Sequence, residues 1–171
     1  MKWRHRDESA LAELQMAKAL LEQGNHAEAT RAAADAETHA EAASTRNAAR
    51  TTLAWAALGQ GYVERAKAAL DRVDPPHALD LYCYAAVQAA RGSPELAIQA
   101  LELARGARSL TCDGAKLLID LYALQNRIDC AVSVALNSRE VLGADNCRIV
   151  LRAARQAGML VPATALATSR Y

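Results

Sequence analysis

The sequence predicts an all-α fold, a right-handed helical solenoid of about five antiparallel hairpins, from three observations. Apolar residues make up 52% of the chain but aromatics only 4%, with no Phe. The apolar content is therefore mostly Ala and Leu, both strong helix formers. The second observation is a recurring stretch, plainest as Gln23-Gly24-Asn25-His26-Ala27-Glu28-Ala29, in which a turn residue is followed five positions later by alanine. The same arrangement returns at Gly61 with Ala66, Gly92 with Ala97, Asn126 with Ala131 and Gly158 with Ala163. The third is the spacing: successive turn residues lie 37, 31, 34 and 32 apart, scattering about the ~34-residue period of helix-turn-helix repeats.

Each part of this unit has a physical reason. A helix commonly ends on a residue in the left-handed region, which Gly enters freely and Asn more easily than most. The alanine falls in the first turns of the next helix, where a small side chain lets two helices approach closely.

Residues 1–7 are expected as a basic leader containing Trp3, and 8–171 as a single domain. A first amphipathic helix is predicted from about Glu8 to Gln23, with Leu11, Leu14, Leu20 and Leu21 at three- and four-residue steps. Asn25 with Glu28 reads as a capping box for the next helix. That helix, about His26 to Ala43, is alanine-rich on its buried side, and His26 and His39 are expected to be solvated. Arg46 to Leu58 and Tyr62 to Val73 form the second pair, stopped by Asp74-Pro75-Pro76. His77 to Arg91 is apolar over most of its surface and is placed between neighbours. Ser93 and Pro94 open a helix to about Arg105. Ser109 or Thr111 caps another running to Gln125. Ile128 to about Arg139 follows, Gly143-Ala144-Asp145 breaks the chain, and helices from Cys147 to Ala157 and from Leu160 to about Thr168 make the fifth hairpin.

The net charge of +1 provides no global attraction to nucleic acid or membrane. The chain carries no run of ~18 apolar residues and no apolar stretch behind its charged N-terminus, so a cytoplasmic location is expected. Cys83, Cys112, Cys130 and Cys147 lack ligand spacing and read as reduced, packed thiols. There is no phosphate loop, His-Glu metal motif or nucleophile elbow, so neither an enzyme nor a cofactor is expected.

Turn residue, small alanine and the prolines at 75 and 76 together resemble the tetratricopeptide repeat family over about residues 10–171. The resemblance departs from the family pattern in lacking the aromatic that opens the first helix of each unit, and the late tyrosine is matched only by Tyr122. It implies a superhelix whose concave groove is lined by the first helix of each pair. The groove positions it implies are Leu11, Leu14, Lys18 and Leu21; Ala48, Thr51, Trp55 and Leu58; Leu79, Tyr82, Ala86 and Ala89; Asp113, Lys116, Asp120 and Ala123; and Asp145, Arg148, Arg152 and Arg155. The lysine and asparagine positions with which some relatives clamp chaperone tails hold Leu14 and Lys18, which argues against that role.

The expected function is a noncatalytic protein-binding module. Trp55, Leu58 and Tyr82 would supply affinity, and Lys18, Lys116, Arg148, Arg152 and Arg155 would face an acidic partner protein or peptide. Alternatives are a structural fragment of a larger scaffold, a homodimer through the C-terminal helices, and a small secretion-chaperone-like protein.

Overall fold

The computed structural model describes residues 2–156, with side chains at 7–143, 147, 148 and 150–152. Among the described residues the chain is all-helical: α1 Lys2–Glu22, α2 His26–His39, α3 Ala43–Gly59, α4 Val63–Leu70, a 3-10 turn Pro76–Ala78, α5 Leu81–Ala90, α6 Pro94–Gly106, α7 Cys112–Leu124, α8 Ile128–Asn137 and α9 Arg139–Gln156. The second helix of the expected fifth hairpin, with Gly158 and Ala163, lies outside the described residues, as does the proposed C-terminal dimer surface. The chain divides into two compact units, Met1–Arg91 and Gly92–Tyr171, within the span read from sequence as one domain.

In the first unit α1 packs on α2, α2 on α3, α3 on α4 and α4 on α5, while α3 also touches both α1 and α5. The turns follow the sequence reading. Gly24 and Gly61 have φ of 75° and 78°. At each, the residue after the glycine donates its N–H five residues back, Asn25 to Leu20 and Tyr62 to Ala57, both at 2.8 Å. This pairing satisfies carbonyls that a helix end otherwise leaves open. The alanines five residues on, Ala29 and Ala66, are wholly buried. Every buried residue of α2 is alanine: Ala29, Ala32, Ala33 and Ala36.

Several boundaries differ from expectation. α1 begins at Lys2 rather than Glu8, so residues 2–7 are helical and not a separate leader. Asp7 Oδ1 accepts from the backbone N–H groups of Glu41 (3.1 Å) and Ala42 (3.3 Å), tying α1 to the connection ahead of α3. Asn25 does cap α2, but Glu28 returns its carboxylate to the Asn25 side-chain amide at 2.7 Å instead of to the backbone. His26 is half-buried rather than fully solvated: its ring lies so close to Gly59 that a Cβ there would sit 2.3 Å from the imidazole. His39 is exposed and pairs with Glu13 at 2.9 Å.

In the second unit α6 packs on α7, α7 on α8, and α9 on both α7 and α8. Thr111 is the cap of α7, accepting from Gly114 N–H. Asn126 takes φ 57° where the turn was expected, and Arg108 takes the same value where none was. Gly143, at φ 74° and ψ 162°, interrupts α9 as the sequence implies. Tyr122 is buried, donates its hydroxyl to Glu102 Oε1 at 2.8 Å and carries the Arg127 guanidinium over its ring. Burial first, and then the bond to Glu102, push its pKa up to about 12.

Two outcomes are expected. Gly61→Ala should lower unfolding stability by roughly 1–2 kcal/mol, the cost of left-handed backbone for a residue with a Cβ, whereas Asn126→Gly should not; urea denaturation measures both. Because the native state holds the Tyr122 proton more tightly than the unfolded chain does, its stabilising share is complete below about pH 10. That share is lost as pH rises toward about 12. Tyr122→Phe should therefore flatten the alkaline stability limb across that window.

Candidate functional site

The groove positions carried by the resemblance can be followed helix by helix. Lys18 and Leu21 lie two turns into the second half of α1, and Ala48, Thr51 and Trp55 recur at three- and four-residue steps along α3. Residues at such steps share one face of a helix. Because α1 and α3 pack side by side, these faces meet at a pocket of 500 Å3, to which Ala78 and Asp80 add the opposite wall. That volume lies within the ~300–1,000 Å3 of small-ligand and side-chain pockets.

Trp55 brings an aromatic ring to the pocket and touches Tyr82. Trp55 and Tyr82, on α3 and α5, have ring centroids 5.0 Å apart and planes tilted by 48°, a separation within the ~4.5–7 Å range of attractive aromatic pairs. Trp55 also leans on the core cluster of Ala54, Ala57, Ala66, Ala69, Leu70, Cys83 and Val87. It is half-buried, with one side in the core and the other in the pocket. Its indole N–H makes no hydrogen bond among the described residues. Lys18 is exposed and has no ion pair among them. The Asp80 carboxylate is committed to α5, accepting from Cys83 N–H at 2.9 Å. Cys83 itself is fully buried, and burial pushes its thiol far above the ordinary range, so it has no reactive thiolate to offer.

The far wall is held in place by α3. Asn47, buried on that helix, donates to Asp74 O at 2.8 Å and accepts from Asp74 N–H at 3.3 Å. Arg50 donates to Arg72 O and pairs with Glu37 at 2.8 Å, and Arg72 reaches Glu37 at 3.2 Å. With the backbone of Asp74 taken by Asn47, α4 ends at Leu70 and not at Val73. With Asp80 capping Cys83, α5 begins at Leu81 and not at His77. Sequence reasoning missed both residues. An amide inside an alanine-rich helical face, and an aspartate three residues ahead of a buried cysteine, were the signals available.

Other expected groove residues lie elsewhere. Leu14 is buried against Ala36 and Ala49, and Leu58 and Leu79 pack against the core cluster; all three are helix-interface residues. In the second unit Asp113, Lys116, Asp120 and Ala123 share an exposed face of α7. The Lys116 ammonium pairs with Asp113 at 3.4 Å, a hydrogen bond that pushes its pKa upward. Arg148 is half-buried and Arg152 exposed on α9, while the side chain of Arg155 and that of Asp145 lie outside the described residues. Among the described residues no group of three His, Cys, Asp or Glu could hold a metal, and no helix is long and apolar enough to cross a membrane.

Asn47→Ala should remove both bonds to Asp74 and leave its backbone groups unpaired, costing about 1–3 kcal/mol. Amide hydrogen exchange should quicken at 74–80 while α1 and α2 keep their protection.

No protein-family model and no curated protein matches the chain.

Proposed function

We propose that the chain is a tetratricopeptide-like superhelix that binds a partner protein without catalysis, through the pocket between α1, α3 and the segment ahead of α5. The observation that carries this reading is the convergence of Lys18, Leu21, Ala48, Thr51 and Trp55 on one pocket. Each of these residues holds a groove position that the repeat resemblance implies. The Trp55–Tyr82 pair supplies the kind of rigid aromatic anchor around which binding energy concentrates. Lys18 favours a carboxylate on the partner, and the Trp55 indole N–H provides a donor for a peptide carbonyl. An extended or helical segment presenting an apolar side chain beside an acidic one fits this chemistry.

The buried thiols Cys83 and Cys147 both have their pKa raised by burial, which makes them poorer nucleophiles at neutral pH.

Affinity capture with the full chain as bait tests the reading. Proteins retained by the wild type should be lost or reduced about tenfold or more by Trp55→Ala with Tyr82→Ala, as for removal of hot-spot aromatics. Lys18→Glu should weaken capture of acidic partners specifically. If variants that keep their helical circular dichroism retain every partner at wild-type levels, the groove is not the binding surface.

A further inference from the structure

The other side of α3 carries a second pocket, of 470 Å3, between α2 and α4. Leu53, Ala57 and Gln60 line it at steps of four and three, while groove-side Trp55 is two positions from Leu53, roughly 200° around a helix of 3.6 residues per turn. The two pockets therefore occupy opposite faces of one helix. The floor of the second is aliphatic, from Leu53, Ala57 and Ala69.

Its polar groups differ in chemistry. Gln60 Nε2 donates to Thr30 Oγ1 (2.8 Å) and to the carbonyls of His26 and Ala56 (both 3.1 Å). Two carbonyl partners identify that atom as the amide nitrogen. The Thr30 hydroxyl in turn donates to His26 O at 2.8 Å. The donors here are spent, and Gln60 Oε1 makes no hydrogen bond among the described residues, so Gln60 offers an acceptor. Arg65 and Arg72, seven positions apart in the chain, also line the pocket. Arg65 lies 5.2 Å from the Tyr62 ring centroid and has no ion pair among the described residues. Arg72 shares Glu37 with Arg50. One carboxylate thus faces two guanidiniums while a third has none, and the rim carries excess positive charge.

We propose that this pocket binds a small organic carboxylate with a compact aliphatic body and an amide or hydroxyl donor, the chemistry of an N-acylated aliphatic amino acid. The carboxylate meets Arg65, the aliphatic body covers Leu53, Ala57 and Ala69, and the donor meets Gln60 Oε1. Guanidinium and carboxylate form the strongest of the charge-assisted hydrogen bonds available to side chains. The volume suits a small molecule. The site is independent of the groove.

N-acetyl-L-leucine is the probe, titrated into the full chain while the methyl signals of Ala57, Ala68 and Ala69 are followed by NMR. N-acetyl-L-leucinamide, which lacks the carboxylate, is the comparison. Saturable shifts at these methyls are expected, with affinity about tenfold weaker for the amide and about tenfold weaker for Arg65→Gln, the size of one lost charge-assisted hydrogen bond. Ala68→Leu, at an exposed position, should fill the pocket and abolish the shifts. Absence of saturable shifts in the wild type, equal affinity for acid and amide, or binding by Ala68→Leu as strong as the wild type would each overturn the proposal.

Discussion

The structure depends on a single local constraint: the first helix of each pair ends at a left-handed residue, Gly24, Gly61, Gly92 or Asn126, so that the chain can reverse at once and return with an alanine against its predecessor. At Gly24 and Gly61 the reversal is closed by two backbone hydrogen bonds, and the fully buried Ala29 and Ala66 follow at a fixed distance. Turn geometry sets the direction of the second helix, and the absence of side-chain bulk sets its separation. Helix pairing and the shared row of α1, α3 and α5 are built on this. The pocket exists because that row presents consecutive helical faces to the same side.

A second layer of contacts consists of polar pins between elements distant in sequence. Asn47 binds Asp74, Gln60 binds Thr30 and the His26 carbonyl, and Asp7 binds the chain ahead of α3. Each joins a buried or half-buried side chain to groups that would otherwise stay unpaired, where the cost of loss exceeds the net gain of formation. They decide where helices stop. α4 and α5 owe their ends to Asn47 and Asp80, and with those ends the far wall of the groove pocket.

Much of the first layer was legible in the sequence, because the left-handed region selects Gly and Asn by their own stereochemistry. The same logic missed Arg108, which takes φ 57° although arginine has no such preference; there the neighbouring structure overrides residue identity. Of the groove positions that the resemblance implies, Lys18, Leu21, Ala48, Thr51 and Trp55 line one pocket. Leu14, Leu58 and Leu79, implied along with them, pack in helix interfaces, since positions three or four apart on a helix differ by a rotation too small for period alone to separate groove from interface. The pins were invisible for a different reason. Asn47 and Asp74 are partners only after the chain folds, and nothing local to either residue announces the other.

The all-alanine buried face of α2 inverts the usual logic of core mutagenesis. Truncation, which elsewhere opens a cavity, has almost nothing to remove at Ala29, Ala32, Ala33 or Ala36. These residues lose no rotamer freedom when buried, and the helix meets its neighbours almost backbone to backbone. Vulnerability therefore lies in growth: a single added methyl group on this face has no empty space to enter and must be accommodated by moving an entire helix.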